Sequence, residues 1–162
     1  PTSDQVRIAC LDTLMPSLPA GPFLDLFAGA GGVGIEALSR GTPSATFVEQ
    51  EAMALRALRE NVESLGLAER ARVVRDDAVV AVERLGEAGQ RFAVAFLDPP
   101  YESPRALPTL ERLAEGACLL PGAVVVLQHA TKAPPASALG VLAAWKTRRF
   151  GETTLTFFRR PA

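Results

Sequence analysis

The sequence predicts one doubly wound α/β domain, a mostly parallel sheet of seven strands closed by an antiparallel C-terminal hairpin. Three observations carry that expectation. Strand-like and helix-like runs alternate four times, and the strands are almost continuously apolar, as in a parallel sheet covered on both faces. A glycine-rich turn, Gly29-x-Gly31-x-x-Gly34, joins the first strand to the helix after it. Near the end, "VLAAWKTRRF" and "TTLTFFRR" are separated only by Gly151-Glu152, a spacing suited to a hairpin.

The elements follow in order. Thr2-x-x-Gln5 has the capping-box pattern, and Val6, Ala9, Cys10, Thr13 and Leu14 then repeat at helical spacing until Pro16. "PFLDLFA" reads as a buried strand, followed by the glycine turn and a helix that ends near Gly41. "ATFVEQ" is a second strand. Leu55, Leu58, Val62 and Leu65 then line one helix face, with Gly66 as its stop. "ARVVRDD" is a third strand, "AVVAVERLG" a short helix, and "FAVAFLD" a fourth strand. Leu107, Leu110, Leu113 and Ala114 mark another helix, with Pro108 in its first turn. "AVVVLQH" is the fifth strand, and "TKAPPASALG" has the composition of a loop. No internal repeat or second-domain boundary is visible.

At 162 residues the chain suits a single core. Its 48% hydrophobic and 22% charged residues are ordinary for a soluble globular domain. No run approaches the length of a membrane span, and no signal peptide opens the chain. Cys10 and Cys118 form no CxxC pair, so neither zinc nor a disulfide framework is indicated, and a reduced cytoplasmic setting is expected. A net charge of -1 argues against a generally basic nucleic-acid surface. The C-terminal stretch is nevertheless locally basic, with Lys146, Arg148, Arg149, Arg159 and Arg160 against Glu152. That cluster reads equally well as a charge-protected edge hairpin.

The glycine turn is ambiguous about its ligand. Glycines let the backbone approach a bound group and adopt positive φ, and the N–H groups at the helix start suit an anionic or polar ligand. A dinucleotide and S-adenosylmethionine would both fit. Asp25, just upstream, favours the second, because a carboxylate repels a pyrophosphate but attracts a cationic amino group and sulfonium. Glu49, at the end of the second strand, could accept from ribose hydroxyls, which both cofactors carry.

"FLDPPYE", residues 96–102, resolves the choice. Consecutive prolines end the strand, fix φ and remove two N–H groups, so the segment presents carbonyl acceptors. Asp98 adds a carboxylate at the carboxyl end of the strand, where doubly wound sheets place their ligands. The exocyclic amine of a base is a poor nucleophile because its lone pair is delocalised. The Asp98 carboxylate and Pro99 carbonyl could each accept one N–H, raising electron density on nitrogen and aiming it at a methyl donor. Tyr101 offers a flat face for an unstacked base. No metal is required, because a sulfonium is already a good leaving group. His129 reads as a satisfied side chain rather than a base, and Arg7 as a weak candidate for a cofactor carboxylate.

With these motifs in place the chain resembles the RsmD-like small-subunit (16S) rRNA guanine-N2 methyltransferases, a family of class I S-adenosylmethionine-dependent enzymes. "PTSDQVR", "LDLFAGAGGVGIEALSRG", "FVE", "LDPPY" and "RRFGETTLTFF" carry the likeness over almost the whole length. The resemblance implies a Rossmann-like methyltransferase sheet over 1–162 and S-adenosyl-L-methionine as cofactor, with S-adenosyl-L-homocysteine as product and no metal. It implies that Gly29 and Gly31 lie against the methionine moiety, with Asp25 and Phe27 nearby, and that Glu49 holds the ribose. Asp77 and Ala78 would border the adenine, though Asp77 could equally cap a helix. Asp98, Pro99, Pro100 and Tyr101 would form the catalytic constellation. The partner implied is ribosomal RNA or the small-subunit particle, met by a monomer. Such proteins usually carry a basic segment before the "PTSD" motif; the chain begins at Pro1 without it, so cofactor is expected to bind better than RNA.

Overall fold

Residues 3–162 are described by a computed structural model. In it eight strands form one sheet, ordered β3-β2-β1-β4-β5-β8-β7-β6. Chain order gives α1 (Asp4–Leu14), β1 (Phe23–Leu26), α2 (Gly32–Ser39), β2 (Ala45–Glu49), α3 (Ala52–Ser64), β3 (Ala71–Arg75) and α4 (Ala78–Glu87). Then follow β4 (Phe92–Leu97), α5 (Ala106–Ala114), β5 (Leu119–Ala130), β6 (Ala138–Leu139), β7 (Leu142–Phe150) and β8 (Thr153–Arg159). β1 to β5 pair in parallel, whereas β8 runs antiparallel to both β5 and β7.

The expected strands and the expected hairpin are present. The stretch read as a loop supplies one addition, the two-residue β6, which pairs only with Leu142 and Ala143 at the outer edge. β5 also starts earlier than "AVVVLQH", at Leu119, and its register with β4 shifts between Phe92 and Val94. Pro121-Gly122 interrupts the apolar pattern there, which hid the first turn of pairing from a periodicity reading. At the start of α1 the cap is Ser3, whose hydroxyl accepts from the Val6 N–H at 3.3 Å. The capping role assigned to Thr2 lies outside the described residues.

Two apolar layers bury the sheet. On one face α1, α2 and α3 set Cys10, Leu11, Ala37 and Leu58 against Phe23, Phe47, Phe96 and Phe157. On the other, α4 and α5 set Leu85, Leu110 and Leu113 against Leu24, Leu97, Val125 and Phe158. Continuous burial of β1 and β4 follows from this double cover.

The glycine turn is shaped by packing as much as by any ligand. A Cβ at Gly34 would lie 2.4 Å from the ring of Phe47, which is fully buried on β2. Only a residue without a side chain lets α2 approach the sheet this closely. Gly34→Ala is therefore expected to lower unfolding stability by about 1–3 kcal/mol through overpacking. Chemical denaturation would show it, and a second substitution, Phe47→Leu, should recover part of the loss by vacating the space.

Candidate active site

All the sequence-derived candidates emerge at one end of the sheet, where β1, β2 and β4 finish side by side. Leu26 pairs with both Val48 and Leu97, so Phe27, Glu49 and Asp98 stand at one level, one residue beyond. Past β1 the backbone turns through left-handed conformations at Phe27 (φ 60°), Gly29 (φ 59°) and Gly31 (φ 91°) before α2 begins. Such a φ at a phenylalanine is uncommon and marks a turn held by its surroundings.

Glu49 does that holding. One carboxylate oxygen accepts from the Gly29 N–H at 2.8 Å, and the other from the N–H groups of Gln50 and Glu51 at 3.0 and 2.9 Å. A side chain 20 residues away thus clamps the glycine turn to the end of β2. A Cβ placed on Gly29 would meet nothing within 4 Å. Open space there means that packing does not require the glycine; its positive φ does.

Asp25 lies deeper than its sequence position suggested. It is 2% exposed, and its Oδ2 accepts from the Gly34 N–H at 3.0 Å, beneath the first turn of α2. Burial pushes its carboxyl well above the usual range, the Gly34 hydrogen bond opposes that shift, and the nearby Asp98 and Glu49 carboxylates reinforce it. Three acidic side chains therefore converge on this end of the sheet. Among the described residues no group of His, Cys, Asp and Glu is arranged to hold a metal ion.

Asp77 caps α4, accepting from the Val80 N–H at 3.1 Å, with Ala78 as the first helical residue. Both of its oxygens also accept from Arg105, at 2.9 Å from Nε and 2.9 Å from a terminal nitrogen. Arg105, foremost through that side-chain hydrogen bond, lowers the Asp77 pKa. This contact joins the β3–α4 corner to residue 105 at the head of α5, just after the DPPY segment. The sequence reading missed Arg105, since nothing local links it to a carboxylate 28 residues upstream.

In the DPPY segment Asp98 and Pro99 are half-buried and Pro100 is exposed. Tyr101 is 70% exposed, so its ring is not part of the core. Glu102 adopts φ 55°, a second uncommon conformation beside the candidate chemistry. The remaining candidates fall away. Nδ1 of His129 donates to the Ala130 carbonyl at 2.8 Å, which leaves Nε2 to accept from the Thr156 hydroxyl at 2.7 Å. Arg7 is held by Glu36 at 2.9 Å and Asp4 at 3.0 Å. Cys10 and Cys118 are buried free thiols, and burial pushes Cys118 up to about 11.

This architecture, with the glycine turn and acidic strand ends in these places, defines a class I methyltransferase. The family model described as "Conserved hypothetical protein 95" matches residues 1–159, and the chain belongs to that family of S-adenosylmethionine-dependent methyltransferases. The Bacillus subtilis protein named "Putative rRNA methyltransferase YlbH" is 31% identical over 160 residues, 99% of this chain and 87% of that protein. The Haemophilus influenzae protein named "Ribosomal RNA small subunit methyltransferase D" is 32% identical over 129 residues, 79% of this chain and 66% of that one. Among solved structures, "Putative methyltransferase yhhF" from Escherichia coli superposes with a TM-score of 0.89 at 26% identity, covering 100% of this chain and 88% of that one.

The raised pKa of Asp25 has a thermodynamic signature. The folded state holds this proton more tightly than the unfolded chain does. Its stabilising contribution is full below the ordinary carboxylate pKa of about 3.9 and is lost as pH rises through the elevated folded value. Asp25→Asn keeps an acceptor for Gly34 but cannot ionise. Melting temperatures recorded from acid to neutral pH should therefore decline less steeply in the variant; superimposable profiles would mean that Asp25 ionises normally.

Proposed function

We propose that this chain transfers a methyl group from S-adenosylmethionine to the exocyclic N2 amine of a guanine in small-subunit ribosomal RNA. One observation carries the reading: the DPPY segment, with an exposed tyrosine and a half-buried carboxylate, stands at the same sheet end as the glycine turn clamped by Glu49. The names of the relatives support the nucleic-acid class of the substrate.

The residues present fit the cofactor. Glu49 offers carboxylate oxygens at a strand end, beside a turn with room at Gly29 for close backbone approach. Asp25 places a carboxyl beneath that turn, where a cationic group above would favour its ionised form. Gly31 and Phe27 shape the turn, and the Asp77–Ala78 corner borders the site on the β3 side. An adenine amino group at that corner would share the Asp77 carboxylate with Arg105. S-adenosylmethionine supplies an electrophilic methyl group on a sulfonium.

The chain's own work is to hold the amine. The Asp98 carboxylate and Pro99 carbonyl each accept one N–H of the target amine, which orients its lone pair and stabilises the positive charge that develops on nitrogen. Pro100 fixes the backbone behind these acceptors, and Tyr101 stacks on the extruded base. The two-pronged Arg105–Asp77 contact anchors the far end of this loop. The reaction belongs in the cytoplasm, where its substrate is assembled.

Tritium transfer from labelled S-adenosylmethionine tests the proposal. Small subunits lacking the modification, naked rRNA and unmethylated DNA would be compared. Label at one guanine of rRNA is the expected result; label in DNA alone would overturn the substrate. Asp98→Ala should bring transfer down to background while S-adenosylhomocysteine affinity stays within a few-fold, and wild-type turnover in that variant would refute the catalytic role. Arg105→Lys keeps the charge but loses the fork that matches a carboxylate. It should lower kcat more than it weakens cofactor binding, measured by single-turnover transfer beside a cofactor titration.

A further inference from the structure

One feature of the C-terminal hairpin exceeds what edge protection requires. β7 and β8 pair with a register shift between Ala144 and Lys146, so that Trp145 and Lys146 both stand opposite Phe157. Phe157 and Leu155 belong to the apolar layer under α1, which puts Lys146, Arg148 and Phe150, their partners and the next alternate residue, on that same face. Trp145 joins them, its ring 6.1 Å from that of Phe157, yet it remains 46% exposed. The Arg159 guanidinium lies 4.8 Å from the centre of the indole, the Lys146 ammonium 6.0 Å from it, and the Arg148 guanidinium 5.8 Å from the centre of the Phe150 ring. Among the described residues none of these three cations pairs with a carboxylate; Arg148 reaches only the Thr13 hydroxyl on α1, at 3.4 Å.

We propose that this face of the hairpin, from the Trp145–Arg159 pair to Phe150, is a platform for single-stranded RNA; the choice of RNA rests on the function proposed above. Exposed lysines and arginines alone would keep an edge strand soluble. An indole left half in water by a bulge, with cations at its face, adds a surface on which bases stack while the charges meet phosphates. The fit is selective for single strands, because a base inside a duplex has both faces covered by its stacked neighbours.

Its position suits the substrate. Phe150 pairs with Thr153, and Thr153 with Ala130, three residues beyond Leu127, the partner of Leu97. Gln128, one residue beyond Leu127, stands opposite Leu155, and Leu155 opposite Arg148. The platform therefore passes the level of Asp98 at Arg148, three strand spacings or about 14 Å to the side. It ends two residues further on at Phe150 and runs back from there about 13 Å along β7 to Lys146. Beside that end opens a polar pocket of about 390 Å³, with Ser3, Gln5, Gln128, Phe150, Gly151 and Thr153 in its wall. Gln128 directly follows Leu127, the partner of Leu97, so one wall of the pocket stands level with Asp98 on the neighbouring strand. The chain's net charge of -1 hides this arrangement, since five of its basic residues sit in the hairpin region against one acid.

The test uses the whole chain and two variants. Trp145→Ala removes the stacking face; Lys146→Glu with Arg159→Glu reverses the charge at exposed positions and leaves the core intact. Affinity for a short unstructured RNA would be read by fluorescence anisotropy over a range of salt concentrations, beside the thermal midpoint and S-adenosylhomocysteine affinity. Trp145→Ala is expected to weaken RNA binding about tenfold. The double reversal should weaken it at least as much and flatten the slope of log affinity on log salt by about two. On ribosomal substrate, KM should rise with kcat held. Wild-type RNA affinity and salt slope in both variants would overturn the platform, as would equal loss on duplex RNA bound as tightly as the single strand. Label transfer by the wild-type protein is scored separately. Transfer to rRNA with unaltered KM in the variants sinks the platform alone, whereas RNA affinity that depends on Trp145 without any transfer to rRNA supports the platform and sinks the substrate assignment.

Discussion

The hydrogen bond from the Gly34 N–H to Asp25, with the Phe47 ring pressed against the same glycine, sets the position of everything at the active end of the sheet. It brings the first turn of α2 down onto β1 and β2. Gly29 and Gly31 must then cross a short gap in left-handed conformations, and the turn they make comes within reach of Glu49. A bulkier residue at 34 would lift α2, lengthen that gap and loosen the clamp. Burial of Asp25 disfavours its ionised form, which is what raises the carboxyl's pKa, and the Gly34 N–H opposes that shift.

Much of this was legible in the sequence, for identifiable reasons. β1 and β4 are buried on both faces, so "FLDL" and "FAVAFL" read as apolar runs without alternation. The glycine turn, Glu49 and the DPPY segment lie at strand ends, and parallel topology gathers strand ends at one edge. Knowing the strands was therefore enough to bring the candidates together. The sequence could not give the depth of Asp25. One residue in a fully buried strand points to one of two layers, and only the approach of α2 decided that its carboxyl would be covered. Nor could it give Arg105, whose partner is 28 residues away on a different strand–helix corner, nor β6, whose two residues are too few for a pattern.

The Arg105–Asp77 contact changes how the two halves of the site relate. Asp77 belongs to the corner expected to border adenine, and Arg105 ends the segment expected to hold the target base. One charge-assisted, two-pronged contact makes them mechanically continuous, with Glu102 held at a positive φ between. A shift at the β3–α4 corner cannot leave the catalytic loop untouched.

Charge segregation carries the same logic to the periphery. A uniformly basic surface would bind any nucleic acid and place none of it. Gathering Lys146, Arg148 and Arg159 on one sheet face, and interleaving them with Trp145 and Phe150, would give the proposed platform both attraction and a direction along β7. The rest of the chain carries the compensating acidic charge, and several of its glutamates are already met by arginines, Glu36 by Arg7 and Arg40 and both Glu83 and Glu115 by Arg112. A net charge near zero is then the sum of a basic hairpin region and an acidic remainder. On the proposed platform it is this local arrangement of charge, rather than its total, that would set where RNA lies.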